Sequence, residues 1–138
     1  METKGVTVLT VGVFDLLHWG HFVLFRRAKE LAGIGGRLIV AVQEDSIVTK
    51  YKPQTRLVYN WDMRASMIRA LRYVDEVIPY GDIDKSIKEI NFNVFAIGGD
   101  QNHSGFKSAV DWCLANGRSV VRLTRTEGIC SSQLRGVS

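Results

Sequence analysis

The sequence predicts an α/β fold, a doubly wound parallel sheet of five strands with helices on both faces. Two observations predict it. Five short apolar, β-branched runs, most of them continuous instead of alternating, suit strands that are covered on both faces. Segments with helical spacing lie between them, and strands that alternate with helices pack as a parallel sheet joined by right-handed crossovers.

The first run, Val6–Val13, leads into helical spacing over His21–Ala32, where Phe25, Ala28 and Leu31 or Ala32 share a face. Arg37–Gln43 is the second strand. The basic stretch from Glu44 to Tyr59 shows no element; connections that long inside a compact domain are usually functional or mobile. Trp61–Leu71 follows as a helix with Met63, Met67, Ala70 and Leu71 on its apolar face, Asn60 as cap and Asp62 charging its first turn. Val74–Ile78 is the third strand, Asp84–Ile90 a short helix and Val94–Ile97 the fourth strand. Phe106–Asn116 is helical because Gly117 stands where a left-handed C-cap belongs, and Ser119–Leu123 closes the sheet. No repeat, low-complexity segment or linker interrupts the order, so residues 1–138 are expected to form a single domain.

Composition narrows the function classes. With 138 residues, 46% hydrophobic, 23% charged and only two prolines, the chain can bury one full core. No run approaches the roughly 18 to 20 apolar residues that span a bilayer, and "METKGVTVLTVG" has no basic n-region followed by a cleavage site. A cytoplasmic protein without a membrane partner is expected. Cys113 and Cys130 are too few and too loosely spaced for a disulfide framework or a zinc ribbon, which leaves two reduced thiols, neither marked as a nucleophile. The net charge of +4 favours anionic partners, but the basic residues are scattered among acidic ones. That suits a phosphorylated small molecule and argues against a nucleic-acid partner, which would call for a basic or aromatic stripe.

In open parallel sheets ligands bind outside the carboxyl ends of the strands, where the strand order reverses. "FDLLHWGH" follows the first strand, the lysine-rich stretch the second, "GGDQN" the fourth and "RTEGICSS" the fifth, so four polar segments converge on one edge. His18 and His21 stand three residues apart there. Zinc would need a third ligand at suggestive spacing, which is missing. Packing alone would need partners for four ring nitrogens, and no nucleophile-elbow pattern accompanies the pair. Phosphate binding fits better: a helix starting near Gly20 offers free N–H groups and a positive dipole end, the imidazoles can donate to phosphoryl oxygens, and Gly20 lets a phosphate approach the backbone.

Lys50 and Lys52 alternate, so in an extended conformation both would point the same way and could clamp a polyphosphate; the alternative is a solvated loop. Arg64, on the first turn of its helix, could lean on the same site or form a surface salt bridge. Asp100 of "GGD" could hold a ribose or base, or belong to a turn. Arg125 offers a guanidinium, Gly128 frees the turn, and Ser131 and Ser132 could cap a terminal helix while reaching an anion. "GIGG", Gly33 to Gly36, ends a helix instead of starting one and is discounted as a phosphate loop.

These residues carry a resemblance. His18-Trp19-Gly20-His21 resembles the HxGH signature of the nucleotidylyltransferase superfamily, and "RTEGICSS" resembles the second motif of its cytidylyltransferase branch. Among that branch the chain is most similar to bacterial glycerol-3-phosphate cytidylyltransferases, over nearly its whole length and including "RYVDEVIP" at Arg72–Pro79. The resemblance implies a Rossmann-like sheet and transfer of a cytidylyl group from CTP to a phosphorylated acceptor, glycerol 3-phosphate first, with CDP-glycerol and pyrophosphate as products. It implies Mg²⁺ carried by the nucleotide phosphates, with no metal ligand from the protein, a homodimer, and a place in cell-envelope polysaccharide synthesis.

The same resemblance puts Val13, Phe14, His18, Trp19, Gly20 and His21 on the nucleotide, Lys52 on the triphosphate and Lys50 on the acceptor phosphate. Arg125, Thr126, Glu127, Gly128, Ile129, Cys130, Ser131 and Ser132 would meet the nucleotide from the far side, and Lys85 would help hold the acceptor. His18, His21, Lys52 and Arg125 would be the catalytic set. Val13 replaces a threonine usual in the glycerol-phosphate enzymes, and Gly99 an acidic residue. "GGDQNHSGF" and "WCLANGRSVV" resemble the sugar-phosphate branch that makes ADP-heptose, so a sugar phosphate, or another phospho-alcohol such as phosphoethanolamine, is the alternative acceptor.

Overall fold

The structure is a computed structural model that describes residues 5–98 and 104–123. Its elements run β1 (Thr7–Gly12), α1 (Trp19–Ala32), β2 (Arg37–Gln43), α2 (Asp45–Tyr51), α3 (Trp61–Arg69), β3 (Glu76–Tyr80), α4 (Ile83–Ser86), β4 (Val94–Gly98), α5 (Ser104–Ala115) and β5 (Ser119–Leu123). The five strands form one sheet in the order β3-β2-β1-β4-β5, and every neighbouring pair is parallel. The expected α/β class and doubly wound sheet are therefore present.

The central strands explain why their runs are continuously apolar. Val8 of β1 with Val40 and Val42 of β2 meets Phe25, Ala28 and Ala32 of α1 and Ala65 and Ile68 of α3 on one face. Leu9, Val11 and Ile39 meet Ile83, Ile87, Phe106, Ala109 and Cys113, from α4 and α5, on the other. Successive strand residues point to opposite faces, so a strand covered twice has no polar side to show. β3 lies at the sheet edge, which is where Pro79 can be tolerated because it has no N–H for a ladder.

Four local expectations are corrected. The stretch 44–59 is not irregular throughout: Asp45–Tyr51 is helical, with Val48 buried beneath it. α3 turns a different face inward, burying Arg64, Ala65 and Ile68 while Met63 stays 52% exposed and Ala70 lies outside the core, because Arg64 is drawn under the chain by its partners. The third strand begins at Glu76, not Val74, since the Val74 N–H donates to Leu71 O in a turn closing α3. The short helix likewise spans Ile83–Ser86 instead of Asp84–Ile90. Gly117 does adopt the left-handed conformation, φ 75°, and the Arg118 N–H behind it returns to Cys113 O at 2.9 Å.

Candidate active site

The chain leaves β1 through Gly12, Val13 and Phe14, and Phe14 takes a left-handed φ of 54°. That strained conformation turns its ring back over Gly12, where an added Cβ would stand 2.6 Å from the ring, so only glycine fits. The Phe14 ring packs edge-on to His21 at 5.3 Å and to Phe25 at 5.1 Å. It is buried, so any nucleotide contact at Phe14 falls to its backbone.

His18 and His21 cap α1 reciprocally. The Gly20 N–H donates to His18 Nδ1 at 3.0 Å, and the His18 N–H donates to His21 Nδ1 at 3.3 Å. The two rings stack with centroids 3.9 Å apart. An Nδ1 that accepts carries no proton, so in both neutral rings the network assigns the proton to Nε2. Two orphan donors of the helix start are thereby satisfied, and two imidazole N–H donors are fixed side by side at its positive end. An added Cβ on Gly20 would lie 2.8 Å from the His18 ring, so this glycine makes room for the cap itself. Trp19 stands on the outer side, 46% exposed and stacked on Phe22 at 4.9 Å.

Beneath this turn lies a network that sequence reasoning missed. Asp15 accepts from the Val58 and Tyr59 N–H groups at 2.8 and 2.9 Å, fastening the segment before α3 to the turn before α1. Asp45, at the start of α2, pairs with Arg64 and accepts from the Trp61 N–H at 3.2 Å. Arg64 is fully buried and donates also to Val13 O at 2.8 Å and Tyr59 O at 3.1 Å. Trp61 Nε1 donates to Val42 O at 2.9 Å. The surface reading of Arg64 is thus overturned, and the structure presents it to the chain, not to a substrate: it braces Val13 from below. The signal available was slight, since Asp15 and Asp45 each read as a loop or cap residue until the segments that they join are known.

Lys50 lies in the last turn of α2 and Lys52 at its C-cap, so they do not project together from an extended strand as expected. Both are exposed, as is Lys85 in α4. Asp100 and the stretch from Arg125 to Ser132 lie outside the described residues. Among the described residues, no three His, Cys, Asp or Glu side chains come together as a metal site, and no helix is long and apolar enough to cross a membrane.

The order of the sheet places the site. α1 and α3 cover one face and α4 and α5 the other, so the winding reverses between β1 and β4, and the crevice outside their carboxyl ends is where this architecture takes ligands. The His18–His21 turn leaves β1 at that point.

Known proteins share this arrangement. Residues 9–137 match the cytidylyltransferase-like family. The chain is 37% identical over 131 residues to glycerol-3-phosphate cytidylyltransferase of Bacillus subtilis, covering 93% of each chain. It is 34% identical over 129 residues to bifunctional protein HldE of Coxiella burnetii, 92% of this chain but 26% of that one. Among solved structures, the lipopolysaccharide core biosynthesis protein of Thermoplasma volcanium superimposes with a TM-score of 0.70 at 26% identity, covering 89% of this chain and 98% of the other. A match over almost every residue, on a sheet whose switch point carries the paired histidines, means that this chain belongs to the cytidylyltransferase-like family of nucleotidyl-transferring enzymes.

Proposed function

We propose that this enzyme transfers the cytidylyl group of CTP to glycerol 3-phosphate, giving CDP-glycerol and pyrophosphate. The observation that carries the reading is the reciprocal histidine cap, which aligns two Nε2–H donors with the α1 N-terminus, joined to near-full-length likeness to an enzyme of that name. A phosphate oxygen of the acceptor attacks the α-phosphorus of CTP, the new P–O bond forms, and the bond to the bridging oxygen breaks as pyrophosphate leaves. No protein nucleophile is required, because phosphoryl transfer is accelerated mainly by alignment and by stabilising charge on the phosphoryl oxygens.

His18 and His21 donate to those oxygens as charge builds on them, a role for which donors held in advance are worth most. Lys52 and Arg125 neutralise the departing pyrophosphate, while Lys50 and Lys85 receive the acceptor. Val13, Trp19 and Gly20 border the nucleotide on one side, with Asp100 and the 125–132 stretch on the other. Mg²⁺, arriving on the nucleotide phosphates, would add charge neutralisation at the leaving group. A homodimer is part of the same proposal.

Likeness to HldE favours a second reading, nucleotidyl transfer to a sugar phosphate. One experiment separates the two: pyrophosphate release with Mg²⁺, crossing CTP and ATP against glycerol 3-phosphate, phosphoethanolamine and heptose 1-phosphate. Turnover with CTP and glycerol 3-phosphate supports the first, ATP with the heptose supports the second, and silence in every combination overturns both.

A further inference from the structure

Tyr51, the last residue of α2, donates its hydroxyl to the Asp82 carboxylate across the carboxyl edge of β2 and β3. Asp82 occupies the N-cap position of α4, where an aspartate would ordinarily accept from its own helix, yet it makes no such cap and is engaged with Tyr51 instead. The ground on either side is held by hydrogen bonds to the backbone of Tyr80 and Gly81. Gln43 donates to Gly81 O at 3.1 Å, the Glu44 N–H to Tyr80 O at 2.9 Å, and the Gly81 N–H to Ser86 Oγ at 3.2 Å. Lys50 rests its ammonium 5.3 Å from the centre of the Tyr51 ring, and the Lys52 N–H closes the helix on Val48 O at 2.9 Å. The tyrosine therefore grips a neighbouring lysine with its face and a second helix with its hydroxyl. Sixty per cent of its surface is open to water, so burial does not account for an aromatic residue there.

We propose that Tyr51 is a positioning residue that latches the lysine-bearing end of α2 to α4, setting the separation of Lys50 from Lys85 and with it the affinity for the acceptor's phosphate. This rests on the proposed function, in which those two lysines receive that phosphate. Two ammonium groups on separate short helices repel each other, and a dianion gains most when both are already held at its width. The Asp82 carboxylate beside it keeps the Tyr51 phenol protonated above its ordinary range, so it remains a donor throughout neutral pH.

The test is steady-state kinetics of wild type, Tyr51→Phe, Asp82→Ala and the double variant, with amide hydrogen exchange of α2 measured on the same proteins. Tyr51→Phe keeps the ring under Lys50 and loses only the latch. It should raise the acceptor KM about threefold to tenfold, the range of one partly exposed hydrogen bond, with kcat and the CTP KM within about twofold. Asp82→Ala should match it, the double variant should add nothing further, and Asp82→Asn, which keeps an acceptor oxygen, should recover most of the loss. Exchange at Tyr51 and Lys52 should quicken. An unchanged acceptor KM in an active Tyr51→Phe enzyme overturns the latch, as does an equal loss in kcat and both KM values. Wild type that turns over none of the acceptors overturns the proposed function instead; unchanged exchange in Tyr51→Phe then overturns the latch independently.

Discussion

His18 and His21 hold each other through the backbone: each Nδ1 accepts an N–H of the helix start, which leaves the proton of each neutral ring on Nε2. On the proposed function, His18→Ala or His21→Ala should lower kcat at least about 100-fold, the loss typical of one preorganised donor. Near-normal turnover in both variants sinks the role. Arg64 makes a different demand. A guanidinium with no exposed surface, bonded to Asp45, Val13 O and Tyr59 O, leaves a partly exposed carboxylate and two carbonyls short of partners when it is removed. Arg64→Ala should destabilise the fold by about 2–4 kcal/mol, through the two carbonyls left without a donor and the space left empty, read as a fall in the urea midpoint, whereas a surface arginine would cost under about 1 kcal/mol. The helix start at the histidine pair was legible because helical spacing follows it directly after an apolar run, whereas the reciprocal cap that the two rings form was not. Arg64 was not, because nothing local distinguishes a buried arginine from a solvated one on the first turn of a helix.

At the level of elements, legibility followed how much each segment depends on its own residues. The sequence predicts Asn60 as a cap, and its Oδ1 accepts from the Met63 N–H at 2.9 Å; it predicts Gly117 as a C-cap, and that residue has the positive φ the position needs. Both are local decisions. α2 was missed because "DSIVTKY" carries three β-branched residues in a row, Ile47, Val48 and Thr49, and becomes a helix through tertiary ties: Asp45 bound to Arg64 and Trp61 at one end, Tyr51 to Asp82 at the other. α5 supplies a checkable case of a local residue with a tertiary fate. Cys113 has no exposed surface and burial pushes its thiol up to about 11, against the pull of Arg118. In a Cys130→Ser background, a neutral thiol reagent at pH 8 should therefore label Cys113 only as fast as α5 opens, and the rate should rise with urea in step with unfolding. Rapid labelling of the native protein would mean that α5 leaves the sheet far more readily than its packing allows.

For the whole molecule, the alternation of strands with helices was sufficient to give class, strand parallelism and the edge where polar segments gather, because crossover handedness leaves few alternatives. The network under the edge required the folded chain, since Asp15, Asp45 and Arg64 join segments that are distant in sequence. Asp75 is its counterpart at the opposite edge. Its carboxylate takes the Lys29 ammonium at 2.6 Å and the Leu38 N–H at 2.7 Å, tying α1, β2 and the approach to β3 together. Partial burial alone would raise its pKa, but the bonds from Lys29 and Leu38, with the charges of Lys29 and Arg37, outweigh it and leave the carboxyl below its ordinary value. A depressed native pKa means that the unfolded chain takes up the proton first as pH falls, so this contribution to stability is complete above about pH 4 and drains away below it. Asp75→Asn should therefore lower the urea midpoint at pH 7, while its gap from wild type closes as both are taken from about pH 4 toward pH 3. A gap that stays constant over that interval would show that the carboxylate charge is not what ties the three elements, and no gap at pH 7 would show that the Leu38 hydrogen bond, which asparagine can keep, is enough by itself.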